Sequence, residues 1–256
     1  MPDSASNPPA SRLRIAASGD IHCHEANRER VSAAFSELDE TADLVLLAGD
    51  LTNHGLAEEA EILAAAAQRT TLPIFAVLGN HDWHAGEAEQ IAAVLREAGV
   101  EMIDGAATTK EIRGIEVGVV GCKGSMGGFA PHQMPDFGEP SLRAVYAETG
   151  AEVQALDEGL CEVATCPIRL VVLHYSPLKA TVEGEPPEIY AFLGSDRLAA
   201  PILEHGPSLV VHGHAHVGSP EGRIGETPVY NVSVPVLGRD FATFELEVAS
   251  VHSPIP

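Results

Sequence analysis

Residues 73–82 read PIFAVLGNHD, a short apolar run closed by a glycine and then by Asn80, His81 and Asp82. A run of this length, opened by proline and ended by glycine, reads as a buried strand. Three strongly polar side chains directly behind it need hydrogen-bonding partners or a metal to offset their desolvation. Five further stretches share the form: RIAASGDIH (14–22), DLVLLAGDL (43–51), IEVGVVGCKG (115–124), RLVVLHYSP (169–177) and SLVVHGHAH (208–216). In each, the polar residues collect at the carboxyl end.

Helical stretches separate the first strands, at 26 to about 41, 56 to about 69 and 87 to about 98, where Ile91, Val94, Leu95 and Ala98 recur on one face. Another covers roughly 141–164. Alternating strand and helix implies an α/β fold with parallel βαβ units, whose ligands bind beyond the carboxyl ends of the strands. The C-terminal part, with TPVYNVSVPV and FATFELEVA, reads as strand-rich and is expected to form a second sheet on the first. Two Gly- and Pro-rich connections, 121–140 and 176–195, read either as lids over a site or as surface excursions without a role.

The chain of 256 residues carries a formal net charge of −22, spread along its length. That charge argues against a broad nucleic-acid surface and for a small partner. It would also repel a phosphorylated substrate, so phosphate chemistry here needs a strong local cation. No apolar stretch is long enough to span a bilayer. Residues 1–11 read as a disordered N-terminal tail, and 12–256 as a single domain of a cytoplasmic protein. Cys23, Cys122, Cys161 and Cys166 fall in no CxxC pattern, so neither a disulfide framework nor a structural zinc site is expected.

The polar residues at the strand ends are Asp20 and His22, Asp50, Asn80 with His81 and Asp82, His174, and finally His214 and His216. Oxygen and imidazole donors without thiolate suit manganese, iron, zinc or cobalt. Singly, most of these groups have plain readings: a helix cap, a turn, a hydrogen-bonded core histidine. Taken together at the ends of successive strands, they point to a metal site.

The ordered set Asp20-Ile-His22, Gly49-Asp50, Gly79-Asn80-His81-Asp82, His174 and Gly213-His214-Ala215-His216 resembles the calcineurin-like metallophosphoesterases. The resemblance implies a four-layer αββα sandwich with a two-metal site at one edge. It also implies that Asp20, His22, Asp50 and His216 hold one ion and Asp50, Asn80, His174 and His214 the other, with Asp50 bridging. His212 has no ligand role in that pattern and reads as a strand-face histidine, or one that supports a ligand.

Two divalent ions about 3.5–4 Å apart clamp phosphoryl oxygens, and a hydroxide bridging them is a strong nucleophile at neutral pH. Asp20 and Asp50 are the only anionic ligands in the set, which leaves the local positive excess that the acidic chain requires. His81, one residue from Asn80, is the candidate donor to the leaving oxygen, and Asp82 is expected to hold its tautomer and raise its pKa. His54 and His84 are read as substrate contacts or as solvated loop histidines, and His24 likewise. Lys123, following a strand end, reads as a phosphate contact or a surface lysine. Cys23 reads as a buried neutral thiol.

GDLTNHG and GNHD, in place of an Arg after the second motif and GNHE, disfavour the protein Ser/Thr phosphatase branch. The pattern is more similar to small bacterial phosphodiesterases. KGSMGGF with PDFGEP resembles an uncharacterised bacterial branch that brings no substrate with it. Hydrolysis of a small phosphodiester is therefore the leading expectation, with a phosphomonoesterase as the alternative and a non-catalytic scaffold of the same fold as the alternative of another class. The metal pair, divalent or mixed-valence, is left open, as is an edge-to-edge homodimer through the C-terminal strands.

Overall fold

The computed structural model describes residues 11–248. The expected N-terminal tail therefore lies outside the described residues apart from Ser11, which opens the first strand. Two sheets form the centre. The first holds β1 (Ser11–Ser18), β2 (Leu44–Ala48), β3 (Ile74–Val77) and β4 (Val100–Met102), all parallel. The second holds β5 (Ala106–Ile112), β6 (Ile115–Cys122), β7 (Ile168–Leu173), β8 (Leu209–His212), β9 (Glu221–Ile224) and β10 (Thr227–Asn231), in the order β5-β6-β7-β8-β10-β9. Within it β6, β7, β8 and β10 run parallel and both edges are antiparallel.

Period-two side-chain alternation builds the layers. Leu44, Leu46 and Ala48 of β2 face the second sheet, where they meet Val117 and Val119 of β6 and Leu170 and Val172 of β7. Val45 and Leu47 point the other way, onto α1 (Arg28–Ser36), α3 (Ala57–Ala67) and α4 (Ala88–Glu97), with the short α2 (Leu38–Thr41) beside them. On the far side Val120, Val171 and Val210 pack under α5 (Pro140–Glu162) and α7 (Ala199–His205). This is the αββα sandwich that the motifs imply. Strands apolar on both faces explain why each reads as a continuous hydrophobic run.

The C-terminal expectation holds for TPVYN, which lies in the second sheet, and needs correction beyond it. TPVYNVSVPV supplies β10 and then the helical turn α8 (Val234–Leu237), with α6 (Tyr190–Leu193) lying earlier in the chain. FATFELEVA supplies β11 (Ala242–Val248), which joins the first sheet antiparallel to β1 at its edge. Its alternation explains the choice: Ala242, Phe244 and Leu246 pack into the layer between the sheets, while Glu245 and Glu247 stay outside beside Arg12.

The two expected loops are built against each other. Gly127 and Gly128 donate backbone hydrogen bonds to the carbonyls of Ala191 and Gly194, at 2.9 and 2.8 Å. Phe129, Val182, Leu193 and Ala215 form a small apolar cluster beneath them. Among the described residues no helix is long and apolar enough to cross a membrane.

Candidate metal centre

The chain ends of β1, β2, β3, β7 and β8 converge at one edge of the sandwich. Backbone bonds tie the turns together: Asp20 N to Gly49 O at 3.0 Å, His22 N to Asp50 O at 3.0 Å, and Gly213 N to His174 O at 3.2 Å. Asp20, His22, Asp50 and His214 all take left-handed backbone, with φ of 56°, 47°, 49° and 70°. Such a conformation costs a non-glycine residue about 1–3 kcal/mol and persists only where surrounding structure holds it. Four such residues at one point indicate that the strain serves the site.

The motif glycines are there for close approach. A Cβ on Gly79 would run into the Asp50 carboxylate, and one on Gly213 into the carboxylate of Asp20. GN and GH are thus fixed by a neighbour from another strand as much as by their own turn.

The donor atoms of Asp20, His22, Asp50 and His216 lie within 4.8 Å of one another, as do those of Asp50, His174 and His214. That span matches one ion's coordination shell, and Asp50 belongs to both groups. Asn80 joins the second group, its Oδ1 2.9 Å from His174 Nε2.

The hydrogen bonds test whether the donors fit an ion. His174 Nδ1–H donates to the Ala48 carbonyl at 2.9 Å, which leaves a lone pair on Nε2. That lone pair faces oxygen on two sides, Asn80 Oδ1 and, at 3.3 Å, Asp50 Oδ1. Both ring nitrogens of His22 are buried without a hydrogen-bond partner. His214 Nε2–H donates to Phe192 O at 3.0 Å, leaving its Nδ1 as the donor atom for a metal. Lone pairs meeting lone pairs and orphaned imidazole nitrogens are costly unless a cation lies among them. The residues fit a metal pair.

Electrostatics agree. Burial lowers His22 to about 4 and His214 to about 3, so protons do not compete for these nitrogens at neutral pH. Burial would raise the Asp20 carboxyl, but the hydrogen bond from His216 and nearby histidines outweigh it and hold it down at about 2. Burial pushes Asp50 up, with Asp20 adding to the effect, and a cation between the two would relieve that repulsion.

His81 and Asp82 are adjacent in sequence but do not work as a pair. Asp82 is fully buried, and its carboxylate accepts hydrogen bonds from the backbone N–H groups of Leu51 (3.1 Å), Thr52 (2.8 Å) and Gly79 (2.8 Å), and from Thr52 Oγ1 (2.6 Å). It clamps the turn after β2 to the turn after β3. The expected Asp82–His81 contact is therefore replaced by another: His81 Nδ1–H donates to the Asn53 carbonyl at 2.8 Å. A carbonyl fixes the tautomer, and Nε2 is turned toward the centre, 3.9 Å from Asp50 Oδ2 and with its ring against His22.

The other expected contacts spread out. Lys123 Nζ donates to Gly124 O at 3.0 Å and to Glu148 Oε1 at 3.3 Å, beside the Tyr175 ring, and lines a cavity with Asn80. His54 is exposed and bonded to Glu59 at 2.7 Å; His84 is exposed on the turn beyond Trp83; His24 Nδ1 donates to the His22 carbonyl at 2.7 Å. His212 ends β8, buried, with Nδ1 to Gly213 O and Nε2 to Thr181 Oγ1, both at 2.8 Å. Gly213 then turns the chain, so the three alternate histidines do not share a strand face. Cys23 is buried, and burial pushes its thiol up to about 12.

Tyr175, its ring centroid 4.4 Å from that of His214 and tilted 52° to it, escaped the sequence reading, as did the carbonyls of Ala48, Asn53 and Phe192 that orient three histidines. Tyr175 directly follows His174, a weak signal. Backbone carbonyls leave none.

The sequence profile described as calcineurin-like phosphoesterase matches residues 13–218. No curated protein matches the chain. Among solved structures it is similar to phosphopantetheinyl hydrolase from Mycobacterium tuberculosis, at 16% identity over 86% of this chain and 89% of that one, TM-score 0.62. It is also similar to TT1561 of Thermus thermophilus, at 19% identity over 93% and 100%, TM-score 0.57. A third is GAP50, described as the anchor in the inner membrane complex of Plasmodium, at 12% identity over 92% and 81%, TM-score 0.58. At these identities the likeness is one of fold.

Proposed function

This chain belongs to the calcineurin-like phosphoesterase family, and on that premise we propose that it hydrolyses a small phosphodiester at a two-metal centre. The observation that carries the reading is the shared donor set: Asp20, His22, Asp50 and His216 on one side, and Asp50, Asn80, His174 and His214 on the other, with imidazole lone pairs aimed at oxygens. Manganese, iron, zinc or cobalt all suit these donors. Bound there, two such ions would clamp phosphoryl oxygens and supply a nucleophile from water at neutral pH.

The chain's own residues do the rest. His81, held by Asn53 and presenting Nε2 to the centre, donates a proton to the leaving oxygen. Asp82 acts at a distance by locking the turns that carry Asp50 and Asn80. Charge favours the diester over the monoester. A diester carries one negative charge and a monoester nearly two at neutral pH, so a chain of net charge −22 penalises the monoester more.

The fold also occurs in a protein described as an anchor, which keeps a scaffold reading in view. The filled donor set argues against it, because a scaffold needs neither left-handed aspartates nor unpaired buried imidazoles. The partner we propose is a small molecule. Four free cysteines suit a reducing, cytoplasmic compartment. The test is the ratio of kcat/KM for bis(p-nitrophenyl) phosphate to that for p-nitrophenyl phosphate in the manganese-loaded protein. A ratio above about 10 is expected on the charge argument, and a ratio below one would reverse the preference.

A further inference from the structure

A separate convergence of donors lies away from the candidate centre. Asp157 and Cys161 are four residues apart on α5, so their side chains stand on one face, one turn apart. His205 is the last residue of α7, and Gly206 behind it closes that helix in left-handed backbone, with φ of 55°. His205 Nε2 lies 2.7 Å from Asp157 Oδ1 and 3.9 Å from Cys161 Sγ, and the three donor atoms all lie within 4.8 Å of one another.

The surroundings hold this arrangement in place. Arg169 donates from Nη1 to the His205 carbonyl at 2.8 Å and from Nη2 to the Gly206 carbonyl at 3.0 Å, which pins the end of α7. The His205 side chain is largely buried, while Asp157 is half-exposed and Cys161 exposed. Arg169 stands near the start of β7 and His174 just beyond its end. The two donor sets therefore sit at opposite edges of the second sheet, about 16 Å apart along the strand.

A hydrogen-bonded His205–Asp157 pair accounts for two of these groups and gives the thiol no part. One imidazole nitrogen turned to both a carboxylate and a thiol is how ligands stand around an ion. Bonds of about 2.0 Å to nitrogen and oxygen and about 2.3 Å to sulfur set tetrahedral ligand atoms about 3.3–3.6 Å apart. The separations of 2.7 and 3.9 Å bracket that range, so each pair reaches it by a fraction of an ångström. Exposed Glu158, Glu162 and Glu204 beside the three donors add negative charge that favours a cation.

We propose that Asp157, Cys161 and His205 bind a zinc-class ion that ties α5 to α7, with water as its fourth ligand. Thiolate and imidazole together select zinc or cobalt over manganese or magnesium, a preference that the thiolate-free donors at the strand ends do not share. No CxxC spacing announces the site, because its donors are spaced by a helical turn and completed from a second helix. With three protein ligands and a solvent-facing side, it exchanges its ion readily and fills when zinc is supplied. The inference is independent of the phosphoesterase reading.

Cobalt makes the site visible on its own. Manganese-loaded protein, kept reduced by a phosphine, is titrated with cobalt(II) while thiolate-to-cobalt charge transfer is followed in the near ultraviolet. The candidate centre has no thiolate ligand, so exchange of ions there is silent in this band. A band that rises to saturation and is bleached by zinc is expected, and Cys161→Ser should abolish it. His205→Ala and Asp157→Asn should each raise the apparent Kd for cobalt by at least about tenfold, the least that even residues supporting a metal ligand cost. Absence of the band in the unaltered chain would overturn the assignment, as would its survival in Cys161→Ser. An apparent Kd unchanged in both His205→Ala and Asp157→Asn would reduce the site to a lone thiol and overturn it too.

Discussion

His174 Nε2 lies 3.3 Å from Asp50 Oδ1, with its other ring nitrogen already committed to the Ala48 carbonyl. Two groups that both present lone pairs are thus held face to face by the backbone of two strands from different sheets. Asp50 meets His22 in the same way from its other oxygen, Nε2 to Oδ2 at 3.8 Å. The carboxylate is the point where the two candidate ion sites join.

Removing that point should cost both ions. Asp50→Asn is expected to leave the purified protein with less than one metal per chain by elemental analysis, and His174→Ala with about one. Both should lower diester kcat/KM by about 10³-fold or more, since each removes charge stabilisation from the transition state. Retention of two ions in Asp50→Asn would remove it from the bridging role.

His81 and Asp82 should separate cleanly. His81→Ala is expected to keep its metal and its Tm while kcat on a diester with a poor leaving group falls about 10²–10⁴-fold. Asp82→Asn replaces one carboxylate oxygen by an amide that cannot accept from backbone N–H groups. Buried donors left unpaired cost about 1–3 kcal/mol each, so a Tm lower by about 10 °C is expected. The pH dependence of the remaining activity should not move, because Asp82 does not touch His81. A shifted profile would restore the pairing that adjacency in sequence suggests.

Gly213→Ala tests close approach. Its methyl would collide with the Asp20 carboxylate, which holds His214 N at 2.8 Å and His216 Nε2 at 2.9 Å. Metal content should fall by about half while the sandwich, read by circular dichroism, survives. Full metal content would show that the loop yields more easily than its contacts imply.

Acid should destabilise the chelator-treated protein. His22, His212 and His214 are lowered to about 4, about 4 and about 3, chiefly by burial, against about 6.5 in the unfolded chain. Between those values the unfolded state binds protons that the native state does not, so stability is lost as pH falls from about 6.5 toward 4. His216, raised by its hydrogen bond to Asp20, opposes this in part. A Tm lower by about 5–10 °C at pH 4.5 than at pH 7 is expected. No change would mean these rings are solvated.

Much of this was legible in the sequence because strand and site are written together. A strand buried on both faces appears as an apolar run, and the donors follow at its carboxyl end, so GDIH, GD, GNHD and GHAH mark both the sheet and its edge. Partners reached through three dimensions were not legible. Asp82 reads as the neighbour of His81, yet its carboxylate turns inward to three backbone amides. His212 reads as one of three alternating histidines, yet Gly213 ends the strand after it. The destination of FATFELEVA was missed because alternation reveals that a strand has one buried face but not which sheet will pair with it.

The most direct measurement is the initial rate of bis(p-nitrophenyl) phosphate hydrolysis by chelator-stripped protein as manganese is added back in defined equivalents. We expect no rate without metal, and a rise that saturates at two equivalents per chain, in step with the shared position of Asp50. A full rate without metal, or one that is complete at a single equivalent, would contradict a two-metal centre.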